Sequence, residues 1–426
     1  MSDQAARIIQ AVEDGWDEQI AWTQKLARYP SVRGQEHTAQ EFVFGELKKR
    51  GYAMDRWTID VDAIKHHPGF SPAKVSYENA WQVVGTHTPR TTTGRSLLLN
   101  GHMDVVPEGP ADMWTHPPYD PIIKDGWLYG RGGADMKAGV AANIFAIEAL
   151  RACGVQPAGT VYLNTVTEEE CTGNGALSTL LRGYRADATL IPEPQGESMV
   201  RANVGVIWFQ IELQGKPVHV REAGTGSNAI LSAWPIISAL KELEGRWNAK
   251  AAQVRYFEDV NHPINLNIGK IEGGDWASSV PAWCKLDCRI SIFPGEDPAE
   301  AASEIEQTIR SAAAADSFLS NNPPNVTFNG FFTRGYVQEE GTDAEATLAA
   351  AYTSVTGTPL ARHPSTAYLD GRVFSLYADM PTLVFGPHSE NIHGFDERLS
   401  LGSLKRVTKT IALFIADWCG VEPIRG

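Results

Sequence analysis

Carboxylates and imidazoles gather at a few places along this chain, each just after a short apolar run. His102 and Asp104 follow Leu97-Leu98-Leu99; Glu168, Glu169 and Glu170 follow Val161 to Val166. Glu193 follows Thr189-Leu190-Ile191, and His388 and His393 follow Leu383-Val384-Phe385. One more acid, Asp135, ends the glycine-rich stretch from Asp125 and is delivered to the start of a helix, where an N-cap is the plain alternative. Imidazoles and carboxylates without thiolates suit Zn²⁺, Co²⁺ or Mn²⁺. Several acids drawn into one crevice repel one another unless cations neutralise them. Two neighbouring metals resolve that conflict, because they can share a bridging carboxylate and a bridging water, lower the water's pKa and polarise a carbonyl.

The apolar runs are the elements that must position these groups. Ser96 to Leu99, Thr160 to Val166, Ala188 to Ile191 and Pro381 to Phe385 suit short buried strands. Between the first two lies Met136 to Ala152, whose Val140, Ile144, Ile147 and Leu150 make a helical stripe. Ile8 to Leu26 reads as a helix ended by Pro30, and Thr38 to Lys49 as a second. Alternating strands and helices predict an α/β sheet, in which functional groups collect at the carboxyl ends of the strands. From Val206 the texture changes. Val206 to Leu213, Ile264 to Ile271 and Trp283 to Ile292 are strand-like; Asn228 to Leu243 and Pro298 to Ala314 are helix-like. Asn325 to Phe331 supplies a closing strand, and Ala344 to Thr356 reads as a helix where the first texture returns. We expect residues 205–332 to form an inserted α+β domain within a discontinuous catalytic domain of residues 1–204 and 333–426.

The bulk composition narrows the partners. At 426 residues the chain exceeds one compact domain, and 43% hydrophobic with 21% charged residues is ordinary for a globular enzyme. The 51 acidic side chains outnumber the 37 basic ones, a net charge of -14 that repels phosphate backbones and anionic membranes. Nucleic acid and membrane are therefore not expected partners. The N-terminus lacks the apolar stretch of a signal peptide, and no run has the length of a membrane span. Cys153, Cys171, Cys284, Cys288 and Cys419 are scattered, without a C-x-x-C pair. A reducing cytoplasm is the expected location.

The motifs resemble one family. Gly101-His102-Met-Asp104-Val-Val-Pro107, the Asp125 to Lys137 stretch, Glu169-Glu170 with Gly173-Asn-Gly175-Ala, Glu193-Pro194 and His393-Gly-Phe-Asp396-Glu397 are similar to the M20 metallopeptidase family. The nearest branch is that of acetylornithine deacetylase and succinyl-diaminopimelate desuccinylase, and the likeness spans nearly the whole chain. It implies a catalytic domain with a central mixed, mostly parallel sheet flanked by helices, and an inserted ferredoxin-like domain that serves as lid and dimer contact. It also implies two divalent ions, zinc ahead of cobalt or manganese. His102 and Glu193 would hold one ion, Glu170 and His393 the other, with Asp135 bridging. Asp104 would orient His102 through its carboxylate, and Glu169 would be the general base. The Asp135-Met136 peptide would be cis. On the lid, His219 would reach across a homodimer to steady the oxyanion, Asn228 would touch substrate, and Arg289 would bind a substrate carboxylate.

Departures from the pattern bear on substrate. Ser278 replaces an asparagine of many relatives, and Tyr368-Leu369 stand where the desuccinylases carry small hydroxyl residues, which argues against that activity. His388 lacks the Asp396-Glu397 context of His393. His37, His66, His67, His87, His116, His262 and His363 default to surface or packing roles. The implied reaction is hydrolysis of the amide bond in a small N-acyl amino acid or N-acyl amine. A dipeptidase or carboxypeptidase of the same family, or a formyl-aminopyrimidine deformylase of thiamine salvage, are the alternatives. A non-catalytic binding module would require loss of a ligand or of the base, and none is missing.

Overall fold

The structure, a computed structural model, describes residues 2–424. The first helical stretch is two helices, Asp3–Asp14 and Trp16–Ala27, because the chain breaks at Gly15, whose N–H turns back to the Ala11 carbonyl. Glycine is the poorest helix former after proline, so a break there is cheap.

The central sheet is built from β1 (Ala53–Thr58), β2 (Trp81–His87), β3 (Leu97–His102), β4 (Val161–Val166) and β5 (Thr189–Ile191), and is completed by Thr382–Val384 near the end of the chain. Its order is β1-β2-β4-β3-β5 followed by Thr382–Val384. β4, β3, β5 and the last strand are mutually parallel, and β2 runs antiparallel to both its neighbours. All six residues of β3 are buried, so its apolar run is unbroken rather than alternating. Leu97, Leu99 and Leu190 face one core with the helices Ala138–Ala152 and Leu401–Cys419. Leu98 and Ile191 face the other, with Asn174–Leu181 and Gly371–Ala378. The sheet is thus covered on both faces, and what remains open is its edge at the strand ends.

A second sheet comprises β6 (Gly205–Gln214), β7 (Asn267–Gly273), β8 (Trp283–Ile292) and β9 (Asn325–Phe332), in the antiparallel order β7-β8-β6-β9. This βαββαβ arrangement is ferredoxin-like. Phe209, Ile211 and Leu213 point to the helices Ala229–Asn248 and Pro298–Ala313 and join a separate hydrophobic cluster. Trp208, Gln210 and Glu212 alternate with them on the open face. Where the chain enters and leaves this sheet, Met199–Asn203 pairs with Tyr336–Val337 and Arg362–Ser365. Among the described residues no helix is long and apolar enough to cross a membrane.

Candidate active site

His102 is the last residue of β3 and is buried. Its Nδ1 donates to the Asp104 carbonyl at 2.8 Å, which leaves Nε2 as the ring's free ligand atom. Nε2 lies 3.0 Å from Asp135 Oδ1 and 3.6 Å from Glu193 Oε1. Across the site, His393 Nε2 lies 3.1 Å from Glu170 Oε1 and 3.5 Å from Asp135 Oδ2. The two oxygens of Asp135 therefore face two different imidazoles. Burial would favour neutral rings, but the Glu193 and Asp135 carboxylates outweigh it at His102, and Glu170 and Asp135 raise His393 to about 11. Burial pushes the Glu169 and Glu193 carboxyls well above their ordinary range, and the surrounding acids push the same way.

These residues fit divalent ions. His102, Asp135 and Glu170 form one set with ligand atoms within 4.8 Å of one another, and His102, Glu169 and Glu193 form a second. Glu193 Oε1 is buried without a hydrogen-bond donor, an acceptor whose missing partner a cation would replace.

Loop geometry explains the convergence. Gly132 takes φ +72°, and Asp135 and Met136 leave helical geometry before the helix Ala138–Ala152 begins, so Asp135 is not its N-cap. The Asp135-Met136 peptide is cis. Ala134 and Asp135 donate their N–H groups to Glu397 Oε1 at 3.0 and 3.2 Å, and Glu397 pairs with buried Arg131 at 2.5 Å. That pair joins the Asp135 loop to the His393 loop. At the end of β4, Glu168 has φ +69°, a conformation costly to any residue with a Cβ and one that concentrates at functional sites. Arg33 grips its carboxylate with two bonds of 2.5 and 2.6 Å, while its carbonyl accepts from the Thr172 and Gly173 N–H groups. The loop bearing Glu169 and Glu170 is fixed from both sides.

Asp104 departs from expectation. Its carboxylate is 3.7 Å from His102 Nδ1, and the main-chain carbonyl is the ring's partner instead. Oδ2 accepts from the Glu170 N–H at 3.0 Å, and burial raises this carboxyl to about 7. The residue still steadies both ligands, one through its backbone and one through its side chain.

Asp135, Glu169, Glu170, Glu193 and His393 open into a cleft of about 660 Å³ whose far wall carries Arg289 from the second sheet. A groove of about 620 Å³ beside the first two helices has no such convergent set. Arg289 donates to Ser291 Oγ at 2.8 Å and to the Thr366 carbonyl at 3.0 Å. Burial lowers its pKa to about 10, and among the described residues it forms no ion pair. Asp287, the acid next in sequence but one, accepts from Gln210 instead. His219 is exposed and accepts the Arg221 N–H, and Asn228 caps the helix Ala229–Asn248 through the Ile230 and Leu231 N–H groups. Neither lines the cleft within one chain. His388 pairs with Glu390, away from the imidazole pair. His363, assigned above to surface or packing, does line the cleft, held between Ser198 Oγ and Gln195 Oε1. Arg33, Arg131 and the role of Glu168 were not foreseen; the unassigned first acid of Glu168-Glu169-Glu170 was the only hint.

Fold and site together define a metal-dependent amide hydrolase. Residues 98–417 match Peptidase family M20/M25/M40, and the chain belongs to that family. It is 28% identical to N-formyl-4-amino-5-aminomethyl-2-methylpyrimidine deformylase of Halalkalibacterium halodurans over 96% of both chains. To succinyl-diaminopimelate desuccinylase of a Bradyrhizobium species it is 28% identical over 91% of this chain and 95% of the relative. The fold is that of the dipeptidase Dug1p from Saccharomyces cerevisiae, with a TM-score of 0.79 at 16% identity, covering 98% of this chain and 99% of that one.

Proposed function

We propose that this protein hydrolyses the amide bond of a small N-acyl amino acid or N-acyl amine with two divalent ions, zinc foremost. One observation carries the reading: two imidazole Nε2 atoms face opposite oxygens of Asp135, beside the buried, unpartnered Glu193 Oε1. His102 and Glu193 would hold one ion and Glu170 and His393 the other, with Asp135 shared. When bound, such ions polarise the amide carbonyl and lower the pKa of water.

Glu169 takes the proton of the attacking water on its carboxylate and returns it to the departing nitrogen. Its burial beside other acids favours holding that proton between the two steps. Asp104 and the Arg33–Glu168 pair keep the Glu169-Glu170 loop in place. Arg289, a cation without an anion, binds a carboxylate on the substrate. Residues 205–332 act as the lid, since Arg289 and Trp208 face the acids across the cleft.

Deformylation of an aminopyrimidine is the second reading, supported by full-length likeness to a deformylase. Unpaired Arg289 argues for the acidic substrate. A homodimer through the lid would bring His219 and Asn228 to the partner's cleft. Exposed Leu231, Trp234, Ile271 and Trp276, beside the edge strand β7, support such a contact. All five cysteines are free, in keeping with a reducing cytoplasm. The test is a panel of N-acyl amino acids, N-acyl amines, dipeptides and formyl-amines with zinc- and cobalt-loaded protein; turnover of dipeptides alone would overturn the deacylase reading.

A further inference from the structure

Beside Arg289 the cleft has an aromatic wall. Trp208 on β6 is directly opposite Arg289 on β8, and Asn267 on β7 is opposite Arg289 on the other side. Residues paired across antiparallel strands share a face, so the three form one row, and all three line the cleft. Phe331 stands edge-on to Trp208, with centroids 5.1 Å apart at 83°. Tyr368, from the catalytic side, stacks on Phe331 at 4.2 Å and 28°. Phe331 and Tyr368 are nearly buried, and Trp208 is the partly exposed member.

Two glycines clear the space for these rings. A Cβ at Gly330 would sit 2.4 Å from Trp208 Cε3, and one at Gly173 would sit 1.7 Å from the Tyr368 hydroxyl. Gly173 also has φ +70°, so its loop excludes side chains twice over. The rings therefore stand where the backbone has made room for them.

We infer that Trp208, backed by Phe331 and Tyr368, is the subsite for a planar ring on the substrate, adjacent to the carboxylate site at Arg289. The preferred substrates are then N-acyl derivatives of aromatic amino acids. Cross-strand neighbours have Cβ atoms roughly 5 Å apart, a spacing that suits a carboxylate and a ring on adjacent carbons of one amino acid. A flat ring gains a stacked or edge contact in addition to burial, which an aliphatic group of equal bulk does not. This inference rests on the deacylase reading of the same cleft.

The experiment compares N-acetyl-phenylalanine with N-acetyl-cyclohexylalanine, which differ in planarity at nearly equal bulk. Zinc-loaded wild type should favour the aromatic substrate by about two- to tenfold in kcat/KM, the size of an aromatic pair contact. Trp208→Leu should bring that ratio near one, and Trp208→Phe should keep it. A ratio of one in the wild type, or one unchanged by Trp208→Leu, overturns the subsite. Should neither substrate be hydrolysed, the deacylase reading is decided by the wider substrate panel and the subsite by calorimetry. Phenylacetate must then bind metal-loaded wild type more tightly than cyclohexylacetate, and equal affinities overturn it. The calorimetric comparison needs no variant, so misfolding of a Trp208 substitution does not shield the inference.

Discussion

Replacing Arg289 by alanine separates recognition of a substrate carboxylate from support of the lid. Among the described residues the guanidinium has no acidic partner, and it donates to Ser291 Oγ and to the Asn265 and Thr366 carbonyls. Losing one side of a charge-assisted contact costs about 2–5 kcal/mol, and partial exposure to the cleft places this one near 2–3 kcal/mol. At about 1.4 kcal/mol per factor of ten, KM for N-acetyl-phenylalanine should rise roughly 30- to 150-fold. The bond to Thr366 is different, because it ties the second sheet to the catalytic side whatever the substrate. That bond is made with either substrate bound, so N-acetyl-phenethylamine, which lacks the carboxylate, should lose much less than N-acetyl-phenylalanine. Steady-state kinetics of both substrates with wild type and Arg289→Ala decide the matter. Equal losses in the two would refute carboxylate recognition and leave Arg289 as a tie between lid and catalytic sheet.

Three other outcomes are expected. Glu169→Gln should retain metal, measured by elemental analysis, while kcat falls by about 10²–10⁴; an emptied site would mean that Glu169 and Glu170 exchange roles. Dialysis against a strong chelator should abolish activity and Zn²⁺ or Co²⁺ should restore it, whereas Asp135→Ala should bind neither ion firmly, because both imidazoles meet at that carboxylate. Mixing inactive His219→Ala with inactive Glu169→Gln protomers should recover activity if a dimer shares sites, and a fully active monomer by light scattering would exclude this.

Much of the site could be read from the sequence because the strands that carry it are buried on both faces. β3 opens with Leu97-Leu98-Leu99 and all but one residue of β4 is buried, so the imidazole and carboxylates at and just beyond their ends stand out. β1 gave no such signal: Ala53–Thr58 is an edge strand with no fully buried residue, and its partner β2 went unread with it. Contacts between distant residues were equally invisible. Arg33 meets Glu168 across 135 positions and Arg131 meets Glu397 across 266. Asn228 is a different case, since an asparagine just before a helix is a cap signal, and the resemblance drew attention to substrate instead.

The placement of the fixed cations is the physical ground for proposing two ions rather than one. Arg33 holds Glu168 and Arg131 holds Glu397, so each fixes a ligand-bearing loop. Lys137, buried two residues from Asp135, donates to the Tyr29 carbonyl. None of the three pairs with Asp135, Glu169, Glu170 or Glu193, the four acids that open into the cleft. His102 and His393 face these acids, and the raised pKa values of both rings and of Glu169 and Glu193 mean that protons neutralise the set, a task that bound divalent ions would take over. One divalent ion would neutralise half of that set. Two would neutralise it, and the geometry of Asp135, with one imidazole at each oxygen, provides the shared ligand that two adjacent ions need.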